Sequence, residues 1–365
     1  MNPTNYHSID AYLEWALTHY KLPGMIATIV RSQETPWTKA LGYANLEQER
    51  AMTPDSLMRI SSVTKMFTAT MLMQLQGGGQ LQLDDPVEKH LPEFSVLRQD
   101  IPITFRHLVS HTSGLPIMPQ FATERLPRPI DELTLEDLYQ LQYPTVEEAV
   151  ASLSETELLF RPGTQFNYSN FGIAVMTRAL KNIVQQPYTD YLTTNILQPL
   201  GMNDATFNVE DILDERIVSG YYSWDGKTPQ LTPYLGSWAS TGGLHTSATE
   251  IANFMAFHLE QGQDSHTQIL SQKTIEQMKI PIREMEKSRY KDDALGGGVG
   301  IGWFLSSIGN HKIVEHGGGD FPSATFLALV PEKQLGVFIG MNTGNEVQAR
   351  TEIAYECLAL LLRGG

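Results

Sequence analysis

Strand-like runs stand at the two ends of this 365-residue chain, and a long helical stretch separates them. Near the start, Met25 to Val30 is a short apolar run, and Trp37 to Tyr43 is a plausible partner for it. Four further runs follow one another near the end: Val299 to Leu305, Lys312 to Glu315, Ala324 to Val330 and Leu335 to Met341. We expect the strands from both ends to share one sheet, with the first helix (Ile9 to Tyr20) and a last helix from about Glu346 packed on it.

Between these ends, from Leu81 to about Tyr234, prolines, acidic residues and helical periods dominate. This texture predicts a mostly helical domain, residues 81–234, inserted into a discontinuous sheet domain of residues 1–80 and 235–365. The fold class is then α+β, with the inserted helices as a second layer and a cleft between the layers. Inside the insertion, Pro116 to Pro144 predicts a long surface loop with one short helix. It is either a wall over a binding site or an insertion without a function.

Charge, cysteine content and missing motifs exclude several classes of protein. A formal net charge of −15 argues against sequence-independent binding to nucleic acid or to anionic membranes. Cys357 is the only cysteine, so there is no internal disulfide and no thiolate metal cluster, and in an apolar helix it is most simply a core residue. His107 and His111 have the spacing of a zinc helix, but Leu108 stands where a metallopeptidase has its glutamate. We therefore expect structural roles for both histidines and no metal.

The start of the chain has no basic stretch followed by an apolar one, and no apolar run is long enough to span a bilayer. We therefore expect a cytoplasmic protein, or a periplasmic or secreted one if a leader precedes this sequence.

The stretch from Ser61 to Leu75 predicts one helix with reactive groups at its start. Apolar residues recur along it at three- and four-residue steps, so one face is buried. Ser62 and Lys65 are one turn apart and share a face, with the hydroxyl where free backbone N–H groups meet the positive end of the helix. A serine hydroxyl needs a base to take its proton, and a lysine that loses solvation can be that base.

Two further short motifs contain chemically useful residues. Tyr168-Ser169-Asn170 precedes an apolar helix: a tyrosine beside a lysine can shuttle a proton, and Asn170 can orient the lysine or hold a substrate carbonyl. His316-Gly317-Gly318-Gly319 follows a strand-like run, where glycines would let a ligand lie against the strand edge. A flexible hairpin turn is the alternative for this segment.

Each of these motifs also occurs by chance. Ser288 and Lys291 repeat the Ser-x-x-Lys spacing, but they lie in a charged run, Arg283 to Asp293, which predicts a solvated loop. Tyr43-Ala44-Asn45 repeats the Tyr-x-Asn spacing directly after a strand and predicts a turn. The order of the three motifs along the chain is therefore a stronger signal than any one of them.

Taken in order, Ser62-x-x-Lys65, Tyr168-x-Asn170 and His316-x-Gly318 make the chain resemble the serine β-lactamase and penicillin-binding-protein superfamily. The match is best to its class C-like branch of esterases, D-aminopeptidases and D-stereospecific peptidases, and it covers about Ile9 to Leu362. The resemblance implies a β-lactamase/transpeptidase-like fold, with an antiparallel sheet flanked by the N- and C-terminal helices. It also implies no cofactor and a small-molecule or short-peptide substrate.

In that superfamily a serine attacks an acyl carbonyl, and the resulting acyl-enzyme is released to water or another acceptor. The resemblance implies that Ser62 is the nucleophile and that Lys65 and Tyr168 share the proton transfers, with either of the two as the base. Asn170 would position Lys65 or the substrate amide. The oxyanion hole would be formed by the N–H groups of Ser62 and Gly319.

One departure from the superfamily pattern concerns the third motif. Many β-lactamases and transpeptidases carry lysine at the position of His316 and a hydroxyl residue at that of Gly317. Histidine is largely neutral near pH 7 and glycine has no hydroxyl, so we expect weak or absent β-lactam hydrolysis. The expected protein is a serine hydrolase of small esters or of peptides and amides with a D-residue. A true β-lactamase, a D-Ala-D-Ala carboxypeptidase and a non-enzymatic binding or assembly protein stay open, and the sequence does not indicate the oligomeric state.

Overall fold

The computed structural model describes residues 3–31, 34–97, 100–129, 132–208, 215–223, 230–231, 238–259, 269–290, 295–320, 323–344 and 347–363. The helices are α1 (Pro3–His19), α2 (Thr64–Gly77), α3 (Phe105–Val109), α4 (Gln120–Glu124), α5 (Leu135–Gln140), α6 (Val146–Ala151), α7 (Asn170–Val184), α8 (Tyr188–Leu192), α9 (Ala239–Gly242), α10 (Ala248–Leu259), α11 (Gln272–Met278) and α12 (Val347–Arg363). The strands are β1 (Gly24–Arg31), β2 (Trp37–Asn45), β3 (Arg50–Ala51), β4 (Met58–Arg59), β5 (Tyr221–Ser223), β6 (Gln230–Leu231), β7 (His245–Thr246), β8 (Arg283–Lys287), β9 (Leu295–Val299), β10 (Phe304–Ile308), β11 (His311–Asp320), β12 (Ser323–Val330) and β13 (Leu335–Met341).

Strands from both ends of the chain form one sheet. Within the described residues this sheet has nine strands in the order β3-β2-β1-β13-β12-β11-β10-β9-β8, and each neighbouring pair is antiparallel. The two ends meet at β1 and β13, where Met25 lies opposite Met341. The predicted α+β fold with one antiparallel sheet is therefore confirmed.

Helices cover the sheet on both faces, which explains why its central strands are apolar on both sides. All residues of β12 and β13 are buried. On one face, α12 packs on β12, β13 and α1, as predicted for the first and last helices. Cys357 of α12 is a buried free thiol in this core, as expected. On the other face, α10 packs on β1 and β13, and α2 lies in the larger core that continues into the helical region.

The region after α2 is mostly helical, from α3 to α8, with the short strand pair β5–β6 near its end. The predicted boundary at residues 234 and 235 lies outside the described residues, so the division into two domains stays a prediction. The segment from Pro116 to Pro144 contains two short helices, α4 and α5, where one was predicted. None of the described helices is long and apolar enough to cross a membrane.

Two predictions about the late strands are wrong. The run from Val299 to Leu305 is not one strand, because β9 ends at Val299 and β10 begins at Phe304. Between them Gly302 has a left-handed backbone (φ +75°), and a Cβ there would lie 2.4 Å from the Cβ of Ala69. The charged run from Arg283 is not a loop at its start, because Arg283–Lys287 forms β8 at the edge of the sheet. An edge strand faces water along one side, and charged side chains there prevent pairing with other molecules.

Candidate active site

Ser62 lies in a short turn that precedes α2. Residues Ser61–Val63 form a 3₁₀ turn rather than the first part of one α-helix, and Ser61 has a left-handed backbone (φ +49°). The hydroxyl of Ser61 hydrogen-bonds the Ser323 hydroxyl at 2.8 Å, which ties this turn to β12. A non-glycine residue in this conformation costs energy, and such residues are enriched at functional sites. Ser62 is partly buried in this turn. Its backbone N–H lies in the first turn of the helical segment, where N–H groups have no partner inside the helix.

The amine of Lys65 contacts the Ser62 hydroxyl. Nζ lies 3.0 Å from Ser62 Oγ and donates to the backbone oxygen of Thr241 at 2.7 Å. Lys65 is 2% exposed, and burial holds the pKa of its amine well below the usual range. The guanidinium of Arg289 lowers this pKa further, while the carboxylate of Asp320 acts in the opposite direction. A neutral amine at this position has a lone pair that can accept the Ser62 proton.

Tyr168 contacts the same two residues. Its hydroxyl hydrogen-bonds Ser62, and its ring centroid lies 5.0 Å from Lys65 Nζ. Burial raises the pKa of the phenol, so Tyr168 is protonated at neutral pH. The ring of His111 lies 4.4 Å from the Tyr168 ring, and its Nδ1 accepts a hydrogen bond from the Ser169 N–H at 3.2 Å. His111 therefore packs against the Tyr168 ring and fixes the backbone of the next residue.

Asn170 is the first residue of α7, where Ser169 caps the helix by accepting from the Gly172 N–H. The Oδ1 atom of Asn170 is buried and accepts no hydrogen bond from the part of the chain that the structure describes. The amine of Lys65 hydrogen-bonds Ser62 and Thr241, so the structure does not join Asn170 to the lysine. A buried carbonyl oxygen without a donor is costly, and it is available to an N–H group of a ligand.

The four residues from His316 to Gly319 lie inside β11, so the alternative of a flexible hairpin turn is wrong. On one side they pair with β12. On the other side, pairing with β10 stops at Phe304 opposite Glu315, so from His316 onwards this edge of β11 has no strand partner among the described residues. Gly319 is exposed at this edge. A substrate can therefore lie along the backbone of β11 beside Ser62.

Gly318 brings β11 into contact with the turn that contains Ser62. A Cβ at this position would lie 2.2 Å from Thr325 Oγ1 and 2.3 Å from the carbonyl oxygen of Ile60. These distances are too short for any side chain, so glycine is required by the packing and not by its conformational freedom.

His316 is buried beside Lys65, and the two residues line the same small cavity. Its Nδ1 lies 2.9 Å from the carbonyl oxygen of Gly317. A carbonyl only accepts, so Nδ1 carries the proton and Nε2 is an acceptor. Burial holds the pKa of the ring well below its usual range, and Lys65, whenever it is protonated, lowers it further. The ring is therefore neutral at pH 7 and adds no fixed positive charge to the site.

Sequence reasoning missed three residues of the site. Thr241 contributes a backbone oxygen, which no side-chain pattern reveals. Arg289 belongs to the charged run that predicts a solvated loop; its side chain is exposed, and its Cζ lies 4.5 Å from the Tyr168 ring centroid. Tyr290 packs edge-on against Phe304, with ring centroids 5.4 Å apart. The only signal for the last two was an aromatic residue beside an arginine, which is too common to predict a site.

His107 has the structural role expected of it. It forms a capping box with Thr104, which accepts from the His107 N–H while the imidazole accepts from the Thr104 N–H. Within the described ranges, no group of three or more His, Cys, Asp or Glu side chains could hold a metal ion.

A family model described as Beta-lactamase matches residues 9–360, which include every residue of this site. The chain belongs to the Beta-lactamase family. Its place is in the class C-like branch of the serine β-lactamase and penicillin-binding-protein superfamily, and members of the Beta-lactamase family are typically serine hydrolases.

Relatives of this Beta-lactamase family member include "Protein flp" of Staphylococcus aureus (strain MW2), which is 25% identical over 342 residues. That alignment covers 93% of this chain and 63% of the relative. "Beta-lactamase-like protein 2" of Dictyostelium discoideum is 31% identical over 285 residues, 76% of this chain and 49% of the relative. The chain thus spans only about half to two thirds of the length of these two relatives. The solved structure of the octameric penicillin-binding protein homologue from Pyrococcus abyssi has a TM-score of 0.82 and 27% identity, and the match covers 100% of this chain and 78% of that one.

Proposed function

We propose that this protein is a serine hydrolase that works through an acyl-enzyme on small esters or on peptides and amides with a D-residue. The observation that carries this proposal is the contact between the Lys65 amine and the Ser62 hydroxyl at 3.0 Å. A buried amine with a lowered pKa can accept a proton from the hydroxyl that it touches, and that pairing converts a serine into a nucleophile.

In the first step, Ser62 Oγ attacks the acyl carbon while its proton passes to the neutral amine of Lys65. The directions of the two pKa shifts favour Lys65 as the base, because burial disfavours both the ammonium form of Lys65 and the phenolate form of Tyr168. The carbonyl oxygen becomes negatively charged as the Oγ–carbon bond forms. The N–H groups of Ser62 and Gly319 are our candidates for stabilising that charge.

The bond to the leaving group then breaks, and the leaving oxygen or nitrogen takes a proton. The hydroxyl of Tyr168, bonded to Ser62, can pass this proton on from Lys65. Water next attacks the acyl-enzyme, gives its proton to Lys65, and Ser62 leaves with a proton restored to Oγ. Asn170 Oδ1, which is buried without a donor among the described residues, can accept from the amide N–H of a peptide substrate.

A fluorophosphonate probe tests this proposal because it reacts with an activated serine without a need for the natural substrate. We expect a single adduct on Ser62 by mass spectrometry and no adduct in Ser62→Ala. The matched control is Ser56→Ala, since Ser56 is also buried and its hydroxyl is bonded to Thr53. Labelling of Ser56→Ala should match the wild type. Absence of a Ser62 adduct in the native protein would exclude the proposed chemistry.

A second candidate is a hydrolase of carboxylate-bearing substrates, such as a β-lactamase or a D-Ala-D-Ala carboxypeptidase. The observation that favours it is Arg289, an exposed arginine whose guanidinium lies over the Tyr168 ring at 4.5 Å. A guanidinium binds a carboxylate with two parallel hydrogen bonds, whereas neutral His316 does not attract one. A parallel screen of p-nitrophenyl esters, D- and L-aminoacyl anilides and a chromogenic cephalosporin separates the candidates. Rapid turnover of the cephalosporin alone would favour the second.

A further inference from the structure

Arg289 is held at the active site by the two residues that flank it. The hydroxyl of Ser288 donates to the buried carboxylate of Glu315 at 3.2 Å. The ring of Tyr290 packs edge-on against Phe304 and Phe326, with centroids 5.4 and 5.2 Å away, and its hydroxyl is hydrogen-bonded to the backbone of Gly317. The contacts of Ser288 and Tyr290 are both with residues of the sheet that lie close to His316. The exposed side chain between them therefore has a defined position.

That position is over the ring of the proposed proton carrier. The Cζ atom of Arg289 lies 4.5 Å from the ring centroid of Tyr168 and 5.2 Å from that of Phe304. The amine of Lys65 lies 5.0 Å from the same Tyr168 centroid. Two basic groups therefore contact one aromatic ring, and they are at most about 10 Å apart, which is comparable to the screening length in physiological salt.

The other charged and titratable groups near Lys65 do not cancel this arginine. Asp320 of β11 is the nearby carboxylate that favours the ammonium form, but its Oδ2 is paired with Arg59 at 2.8 Å. Burial keeps the imidazoles of His111 and His316 neutral, and it keeps Tyr168 as the phenol. Arg350 of α12 adds a further positive group behind β11, where its guanidinium donates to the Gly318 carbonyl.

We propose that Arg289 is a positioning residue that keeps Lys65 in its neutral form by charge repulsion across the ring of Tyr168, an inference that rests on the proposed acyl-transfer function. A guanidinium keeps its charge at every pH at which the protein would work. It therefore opposes a second positive charge on Lys65 before the reaction. After Lys65 has taken the Ser62 proton, the same repulsion helps the proton to leave toward the departing group.

The test replaces Arg289 and measures the proton state of Lys65. In Arg289→Met the acid limb of kcat/KM for a neutral ester, p-nitrophenyl butyrate, should move to higher pH by about 0.3 to 1 unit, the range for one solvent-exposed charge at this distance. Arg289→Lys keeps the charge and should show a smaller shift. Arg283→Met is the matched control, since it removes an arginine of β8 whose guanidinium donates to the Gly163 carbonyl oxygen; its profile should match the wild type.

Two further measurements keep the test decisive. In 1 M salt, where the screening length falls to about 3 Å, the difference between Arg289→Met and the wild type should shrink. If Arg289→Met does not fold, Arg289→Gln gives the same comparison, and circular dichroism checks both variants. A profile of the neutral variant that coincides with the wild type at low salt would overturn the proposal while leaving the hydrolase function intact.

A direct readout separates the two proposals. The chemical shift of the Lys65 side chain, labelled with ¹³C at Cε and assigned with Lys65→Met, reports its titration without any turnover. If no serine labelling occurs but this titration still moves to higher pH in Arg289→Met, the hydrolase function fails and the role of Arg289 stands. If the Lys65 titration is the same in both proteins, the role of Arg289 fails.

Discussion

The amine of Lys65 donates to the backbone oxygen of Thr241 at 2.7 Å, although 176 positions separate the two residues. Lys65 belongs to α2 and Thr241 to α9. The two helices are joined again where the hydroxyl of Thr68 donates to the Ser240 oxygen at 2.7 Å. A neutral amine that donates to a carbonyl keeps its lone pair for another partner. The contact with Thr241 therefore orients Lys65 so that the lone pair can face Ser62.

Lys65→Met should abolish most of the acylation and preserve the fold. Methionine matches the length of the buried lysine stem but has no proton acceptor, and the loss of a general base typically costs about two to four orders of magnitude in rate. Removal of an amine that is costly to bury should leave the melting temperature unchanged or raise it. Stopped-flow acylation by a p-nitrophenyl ester and a thermal melt measure both effects.

The control for this prediction is Lys65→Arg, which keeps a cation that cannot accept the proton. It should be as inactive as Lys65→Met and less stable. Acylation of Lys65→Met at the wild-type rate would show that another group activates Ser62.

Tyr168→Phe should reduce acylation and leave the packing of the site intact. Phenylalanine keeps the ring that contacts His111 and Arg289 but lacks the hydroxyl bonded to Ser62. We expect a loss of about two to four orders of magnitude, measured with an amide substrate, whose leaving nitrogen depends most on proton delivery.

Tyr188→Phe is the matched control for Tyr168→Phe. The Tyr188 hydroxyl is also buried, and it is bonded to Thr68 at 2.8 Å, away from Ser62. Its loss should reduce the free energy of unfolding by about 1 kcal/mol without an effect on the rate. Equal rate losses in the two variants would contradict a specific role for the Tyr168 hydroxyl.

The fold was predictable where apolar runs were long enough to be strands in the core. Ala324–Val330 and Leu335–Met341 were predicted almost to the residue, because both faces of β12 and β13 are buried. The edge strand β8 was not predictable, because three of its five residues are exposed and its charged residues are typical of a loop. The run around Gly302 predicts one strand, because the contact that interrupts it is with Ala69, far away in sequence.

The candidate site was predictable only where reactive side chains follow a spacing along the chain. Ser62 and Lys65 share a helical face, so their contact follows from local geometry. Thr241 and Arg289 reach the site through tertiary packing: one contributes a backbone atom, and the other depends on a carboxylate, Glu315, that is buried three strands away from β8. Neither relationship leaves a pattern in a single sequence.

Gly318→Ala should destabilise the protein and slow acylation. The added methyl would lie 2.2 Å from Thr325 Oγ1 and 2.3 Å from the Ile60 oxygen, so β11 must move away from the turn that contains Ser62. Overpacking of this kind typically costs about 1–3 kcal/mol. Urea unfolding and the acylation rate measure the two effects. Gly77→Ala is the control, because nothing lies within 4 Å of its added Cβ. A Gly318→Ala variant as stable as Gly77→Ala would contradict the packing argument.

The rate of acylation by a neutral ester should rise with pH through the titration of Lys65 and then level off. The pKa of Lys65 is lowered, so its neutral form appears at a lower pH than for an ordinary lysine, whose pKa is about 10.4. The raised pKa of Tyr168 means that the phenol does not ionise over the same range. A pH series of fluorophosphonate labelling rates measures this rise. In His316→Asn the labelling rate should still rise with pH, whereas the residual rate of Lys65→Met should not. If the rise is lost in His316→Asn and kept in Lys65→Met, the base is the histidine instead.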